Sequence, residues 1–406
     1  MTTLTGKTIV LGVTGGIAAY KAAEIVRLLV KDGATVRVIM TSNAQEFITP
    51  LTFQTLSGNP VSTETFNLTQ ESEIGHIRLA DTADLILIAP ATANVIAKLA
   101  HGQADDLLTT VLLATTAPVL LAPAMNVHMY AHAIVQENMR KLASLGYGFV
   151  EPAEGFLACG YEGKGRLADP EDIVEEVRAA LTKKDLKDER IIVTAGPNWE
   201  PLDPVRFISN RSTGKMGFAL ARVARRRGAE VTLISGPTAL SPPHGVRFCR
   251  VQTALEMQQA VLEYYPQATV VVSAAAVADY RPAQIAPQKV KKGAGKVVME
   301  LVRNPDILAE LGQQKGDRFL IGFATETEEV LQNAVQKLRS KNLDLIVAND
   351  VTQEGAGFAH DTNVVTLIGR DERIESLPLM SKEDVAHAVY DRLLAMKTRT
   401  GESMNR

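Results

Sequence analysis

Apolar positions along the chain fall into short unbroken runs that alternate with amphipathic stretches. "TIVLGV" (Thr8–Val13) is apolar on both faces, as a strand buried in a parallel sheet must be. The next stretch opens on glycines and then places Ala18, Ala22, Ile25 and Leu29 on one helical face, with Gly33 as its stop. "TVRVIMT" is the following strand. "ADLILIAPATAN" (Ala83–Asn94) and "APVLLAPAMN" (Ala117–Asn126) repeat one theme, an apolar strand and then a Pro-containing loop ending in Asn. After the charged stretch "LTKKDLKDER" the pattern restarts with "RIIVTAG", a helix, "AEVTLISG", "ATVVVSAAAVADY" and "LDLIVANDV".

Strands alternating with helices predict βαβ units and parallel sheets. The reading is α/β: two Rossmann-like domains, residues 1–190 and 191–406, each a mostly parallel sheet flanked by helices, joined by a solvated linker near 185–190. Loops after such strands lie at their carboxyl ends, where open α/β sheets bind ligands.

Composition narrows the function classes. At 406 residues, 46% hydrophobic and 22% charged, the chain reads as globular and too long for one ordinary core. A net charge of −3 and 5% aromatics argue against a nucleic-acid binder. No apolar run is long enough to span a bilayer, and "MTTLTGKTIVLGVTGG" lacks the apolar core of a secretory leader. Two cysteines provide neither a disulfide framework nor a zinc-ligand pattern, so a reducing cytoplasm is the expected setting.

The candidate chemistry sits in the loops. Gly12, Gly15 and Gly16 in "GVTGGIAAYK" let the backbone turn sharply ahead of a helix start that favours an anion. A plain turn between packed elements explains them equally well. The spacing is neither G-x-G-x-x-G nor a P-loop, which weakens a reading as a nicotinamide-dependent oxidoreductase. His76 has the acid–base range of an imidazole, or is simply a helix-terminal histidine. Asn126 in "PAMNVHMY" offers a donor and an acceptor, or a helix cap. Cys159, in the glycine-rich "GFLACGYEGKGRLAD", reads as a nucleophile, redox group or proton donor on a hinged lid, against an inert surface thiol. In the second half, Asn210, Ser212, Thr213, Gly214 and Lys215 precede a helix and suit a carboxylate or phosphate. Small residues in "SAAAVADY" allow close approach of a base or sugar, with Asp279 available to a metal. "KVKKGAGK" (Lys289–Lys296) is a polyphosphate site or a solvated loop. Together they point to a nucleotide with Mg²⁺.

These segments resemble, in order, two enzyme groups. "GVTGGIAAYK", "GHIRLA", "APATAN", "PAMNVHMY" and the Cys159 loop are similar to flavin-dependent cysteine decarboxylases. "TAGPNWEPLDPVRFISNRSTGKMG", "SAAAVADYRP" with "KVKK", and "GFATET" are similar to phosphopantothenate–cysteine ligases. The combined order resembles the bacterial bifunctional decarboxylase/ligase family of coenzyme A biosynthesis over nearly the whole chain. Thr92 stands where many relatives have Ser, and Tyr130 where they have Trp.

The resemblance implies a flavoprotein fold for the first domain, with FMN held by Gly12, Gly15, Gly16, Thr92 and Asn94. It implies decarboxylation of 4′-phosphopantothenoylcysteine after oxidation of its thiol. His76 is then the acid/base, Asn126 holds the substrate, and Cys159 returns a proton to the enethiolate. For the second domain it implies attack of L-cysteine on an acyl-cytidylate made from 4′-phosphopantothenate and CTP. Asn210 and Lys289 are the catalytic residues there. CTP contacts fall to Ser273, Ala274, Ala275, Asp279, Lys289, Pro305, Asp306, Ile307, Leu308, Phe323, Lys337 and Lys341, with Asp279 also near Mg²⁺. It further implies trimeric decarboxylase contacts with FMN at subunit boundaries, dimeric ligase contacts, and hence a dodecamer. A non-catalytic FMN-binding regulator is the competing expectation.

Overall fold

The computed structural model describes residues 4–65, 75–156, 162–291, 298–326, 330–350, 357 and 360–404. The chain divides into two compact units, Met1–Thr182 and Lys183–Arg406.

In chain order the first unit is β1 (Thr8–Val13), α1 (Ala22–Lys31), β2 (Thr35–Met40), α2 (Ser42–Gln45), α3 (Pro50–Ser57) and β3 (Val61–Ser62), then α4 (Gly75–Thr82), β4 (Leu85–Ala91), α5 (Ala93–Ala100) and α6 (Leu107–Ala114). It continues with β5 (Val119–Pro123), α7 (Val127–Ala131), α8 (Ala133–Ser144), β6 (Gly148–Phe149), β7 (Ala153–Phe156), β8 (Glu162–Arg166) and α9 (Pro170–Leu181). Six strands form a parallel sheet in the order β3-β2-β1-β4-β5-β6. Alternate residues of β1 feed opposite cores. Ile9, Leu11 and Val13 meet Ile25 and Leu29 of α1 and Ile173 and Val177 of α9. Val10 faces Ile96, Leu108, Val111 and Leu142 of α5, α6 and α8. The helix read from Ala18 begins at Ala22, because Ile17–Lys21 forms a tighter 3-10 turn first.

The second unit runs β9 (Arg190–Ala195), β10 (Glu200–Pro201), β11 (Phe207–Ile208), α10 (Lys215–Arg226), β12 (Glu230–Ser235), β13 (Arg247–Arg250), α11 (Ala254–Tyr264) and β14 (Val270–Ser273). There follow β15 (Tyr280–Pro282), β16 (Leu301–Arg303), α12 (Ile307–Gln313), β17 (Phe319–Glu326), α13 (Val330–Ser340) and β18 (Leu345–Asp350). Last come β19 (Thr362–Asn363), β20 (Val365–Gly369), β21 (Ile374–Ser376), β22 (Met380–Ser381) and α14 (Lys382–Met404). The sheet order is β13-β12-β9-β14-β17-β18-β20-β21, parallel up to β18 and antiparallel beyond. One face is covered by α10 and α14, the other by α11, α12 and α13. A side chain at Gly217 would lie 2.5 Å from Ala195 Cβ, so α10 rests directly on β9.

The stretch expected to be a solvated linker belongs to the second unit. Leu186 is fully buried in its core, Asp185 pairs with Arg227 at 2.8 and 3.0 Å, and Lys184 Nζ donates to the Arg226 carbonyl at 2.6 Å. The division therefore falls at Thr182/Lys183, ahead of the expected Arg190/Ile191. One buried leucine among charges carries no periodicity that a sequence reading can use.

Candidate active sites

In the first unit the chain crosses from β1 out to β3 and returns to β4, so the loops after β1 and β4 part at the switch point. A cleft of about 720 Å³ opens there. Thr14–Ala18, Thr41–Asn43, Thr92–Val95, Ala124–Asn126 and Gly165–Leu167 line it. Thr14 Oγ1 fastens the two loops, donating to the Pro90 carbonyl at 2.7 Å and accepting from the Thr92 amide at 3.2 Å. Thr92 caps α5, and Asn126 Oδ1 caps α7 by accepting from the His128 amide at 2.8 Å. Asn126 is both cap and cleft lining, so the two readings of its sequence are not exclusive.

Lys98 and Asp106 also line this cleft, 3.2 Å apart. Burial opposes ionisation of Asp106, but hydrogen bonds from Thr109 and Lys98 hold its carboxyl below the usual range.

Gly15, Gly16, Thr92, Asn94 and Asn126 gather in the cleft. Gly12 does not. It lies inside β1, where a Cβ would come within 2.7 Å of both Leu108 and Ile88 side chains, so its glycine serves packing rather than ligand approach. His76 stands half-buried in the first turn of α4, outside the residues that line this cleft. Cys159 lies outside the described residues; its flanks, β7 and β8, pair as an antiparallel hairpin. The Met125 amide donates to the Gly165 carbonyl at 2.9 Å, which joins that hairpin to the cleft.

The second unit has its own cleft, about 880 Å³, at the carboxyl ends of β9, β14, β17 and β18. Asn210 Nδ2 donates to the Ala276 carbonyl at 2.9 Å, so the loop before α10 is fixed to the loop after β14. The Asn304 amide donates to the Asp279 carbonyl at 2.8 Å, and Asn304 Nδ2 to the Ala278 carbonyl at 2.7 Å. Lys341 Nζ reaches Asp306 at 2.9 Å, tying α13 to the start of α12. These ties bring Asn210, Ser273, Ala274, Ala275, Asp279, Pro305, Asp306, Ile307, Leu308, Phe323, Lys337 and Lys341 to one cleft.

Lys289 is not among its lining residues. It is exposed, although its neighbour Val290 is anchored by Asp203 Oδ2 at 3.1 Å and by Arg206 at 2.8 Å. Hydrogen bonds from Arg206 first, and from backbone amides, hold the Asp203 carboxyl far below its usual range. No group of three or more His, Cys, Asp or Glu suited to a metal occurs among the described residues.

Among the lining residues not singled out from sequence are Asn349 and Lys382. Asn349 at the end of β18 is 7% exposed, and its Oδ1 has no hydrogen-bond partner among the described residues. Lys382 at the start of α14 is 6% exposed. A strand ending in Asn after four apolar residues was the only available signal for the first; the second had none.

The profile of the Flavoprotein family matches residues 1–182, and that of the DNA/pantothenate metabolism flavoprotein C-terminal domain matches 186–396. The coenzyme A biosynthesis bifunctional protein CoaBC of Bacillus subtilis (strain 168) is 52% identical over 403 residues, 98% of this chain and 99% of that protein. The chain belongs to the family of coenzyme A biosynthesis bifunctional proteins. The Escherichia coli (strain K12) member is 49% identical over 396 residues, 96% of this chain and 97% of its own. A crystal structure of the C-terminal domain of a CoaBC aligns with a TM-score of 0.47 at 43% identity, covering 53% of this chain and all of that one. The protein is thus a bifunctional enzyme of coenzyme A biosynthesis, a flavoprotein decarboxylase unit followed by a ligase unit.

Proposed function

We propose that the second unit joins L-cysteine to 4′-phosphopantothenate at the expense of CTP, and that the first decarboxylates the product to 4′-phosphopantetheine with FMN. What carries this reading is that, among the described residues, most of each motif set, Gly12, His76 and Lys289 excepted, gathers at the switch-point cleft of its own sheet.

A carboxylate oxygen is a poor leaving group, so ligation needs an acyl-cytidylate, formed with loss of pyrophosphate. Asn210, locked to Ala276, would hold the acyl group. Ser273–Ala275 leave room for base and sugar, while Lys337 and Lys341 supply positive charge toward the phosphates. Asn349 Oδ1, buried and unpartnered among the described residues, suits a donor on the nucleotide. With no acidic cluster among the described residues, Mg²⁺ would ride chiefly on the phosphates, with Asp279 as the protein's contribution. Lys289 reaches the site only if its segment moves towards the nucleotide.

The first cleft fits a flavin mononucleotide, since backbone and hydroxyl donors of Thr14–Ala18, Ser42 and Thr92 surround a volume lined elsewhere by Ile17, Val95 and Met129. A flavin held there by those donors would supply the two-electron redox chemistry that decarboxylation of the substrate needs. Asn126 would orient the substrate carboxylate or amide at the cleft edge. Cys159 would deliver the final proton, a general-acid role open to a thiol. His76 would act as acid/base from a neighbouring subunit, because it stands outside its own cleft. This fits homo-oligomers with trimeric decarboxylase contacts, and a dodecamer if ligase units also pair.

The test is incubation of the yellow, full-length protein with 4′-phosphopantothenate, L-cysteine, CTP and Mg²⁺. Pyrophosphate and CO₂ are expected in equal amounts. Colourless protein that FMN cannot reconstitute, or pyrophosphate release without 4′-phosphopantothenate, would overturn the reading.

A further inference from the structure

Lys382 is a buried cation in an unfavourable place. It opens α14, at the positive end of a helix dipole, on the same cleft as Lys215. Three backbone carbonyls compensate. Its ammonium donates to Gly357 at 3.1 Å, to Thr362 at 3.1 Å, and to His360. The Lys382 amide also donates to the Asp361 carbonyl at 3.0 Å, and β19 pairs with β22 just before it.

Backbone from 357 and 360–363 is thereby held against the head of α14. This backbone forms part of the cleft wall through Gly357 and Asn363, and its Asp361 carboxylate meets Lys215 Nζ at 2.7 Å. A side chain with no donor would leave the three carbonyls unpaired, and a neutral amine, with two N–H groups, could serve only two of them.

We propose that Lys382 is a positioning residue of the ligation site, pinning the wall formed by Gly357 and His360–Asn363 so that a phosphate-bearing substrate meets a fixed surface beside Lys215. The inference rests on the ligase reading given above. The charged groups around it are Lys215 on α10, His360 and Asp361 on the wall, and Glu383 and Asp384 on α14 itself. Glu383 is engaged by Arg222 and Arg226, and Asp384 by Ser381. Burial first, and then Lys215, bring the Lys382 ammonium down to about 8, with Asp361 opposing. The clamp is therefore charged below about pH 8 and weakens as pH rises through it, since the neutral amine keeps two donors for three carbonyls. Because the shift is downward, folding favours the neutral amine, so this group adds stability above that pH even as the wall loosens.

The test uses the full-length enzyme, measuring pyrophosphate release from pH 6.5 to 9.5 with CTP and 4′-phosphopantothenate varied separately. In K382M the KM of one of these two substrates should rise about tenfold with kcat little changed, a loss of roughly 1.4 kcal/mol in binding. Which KM moves tells whose phosphate meets the wall. The wild-type KM should climb above pH 8 too, by less than in K382M, without loss of thermal stability. Hydrogen exchange at 360–363, corrected for intrinsic rate, should quicken over the same range in the unsubstituted chain. A flat wild-type KM, an unchanged KM in K382M, or parallel losses of kcat and melting temperature would overturn the proposal. No pyrophosphate from wild type with CTP at pH 7 would instead sink the ligase reading, and the exchange measurement would still decide whether Lys382 clamps the wall.

Discussion

Gly165 shows how one residue controls the decarboxylase cleft. Its φ of +150° is one that side-chain-bearing residues avoid, and a Cβ there would lie 2.5 Å from the Met125 carbonyl oxygen. Met125 and Asn126 line the cleft, so pushing that carbonyl away moves the cleft-lining loop. G165A is expected to cost about 1–3 kcal/mol locally and to lower CO₂ formation by roughly tenfold or more. Flavin absorbance of the purified variant and single-turnover CO₂ release check it; normal turnover would show that the hairpin does not set the loop. The sequence shows a glycine here, but not that Met125 is its neighbour. Gly12 is the opposite lesson. It sits in a glycine-rich motif that reads as ligand-binding, yet only the fold reveals Leu108 and Ile88 against it.

At the scale of elements, α10 and α14 are joined by charge as well as by apolar packing. Arg226 is fully buried and meets Glu383 at 2.8 Å, and Arg222 meets the same carboxylate at 2.9 Å. Burial alone would raise the Glu383 carboxyl, but the two guanidiniums outweigh it and bring it down to about 2. A depressed acid contributes stability above its ordinary value of 4.5 and loses it as pH falls towards 2. E383Q should therefore destabilise the second unit by about 3 kcal/mol at neutral pH, because Arg226 would keep its buried charge without the carboxylate. Denaturant titrations of both proteins test this, and the wild-type advantage should shrink between pH 4.5 and 2. A difference independent of pH would mean that packing, not charge, joins the helices. The sequence was readable as a helix over α10, whereas α14 was not singled out from it. Their pairing was not readable either, since Arg226 and Glu383 are far apart in sequence and either looks like surface charge.

For the whole molecule, the placement of His76 carries the sharpest consequence. If each decarboxylase site takes His76 from one subunit and Asn126 from another, H76N and N126A chains should each be inactive alone. Unfolded and refolded together in equal amounts, they should regain about a quarter of wild-type CO₂ formation, as random mixing around a closed ring gives. No recovery, with mixed oligomers verified by mass, would place both residues in one subunit's site.

Read alone, the sequence determined the α/β class, the restart of the pattern near residue 190, and the loops that line the clefts. Buried parallel strands need continuous apolar runs, and their ligand loops follow at fixed ends. Tertiary structure decided the remainder: that Leu186 draws the charged stretch into the second core, that Gly12 is packing, that His76 stands off its own cleft, and that Asn349 and Lys382 line the second unit's cleft. Each depends on which distant segments become neighbours. That follows from strand order and helix packing, and local periodicity carries no record of it.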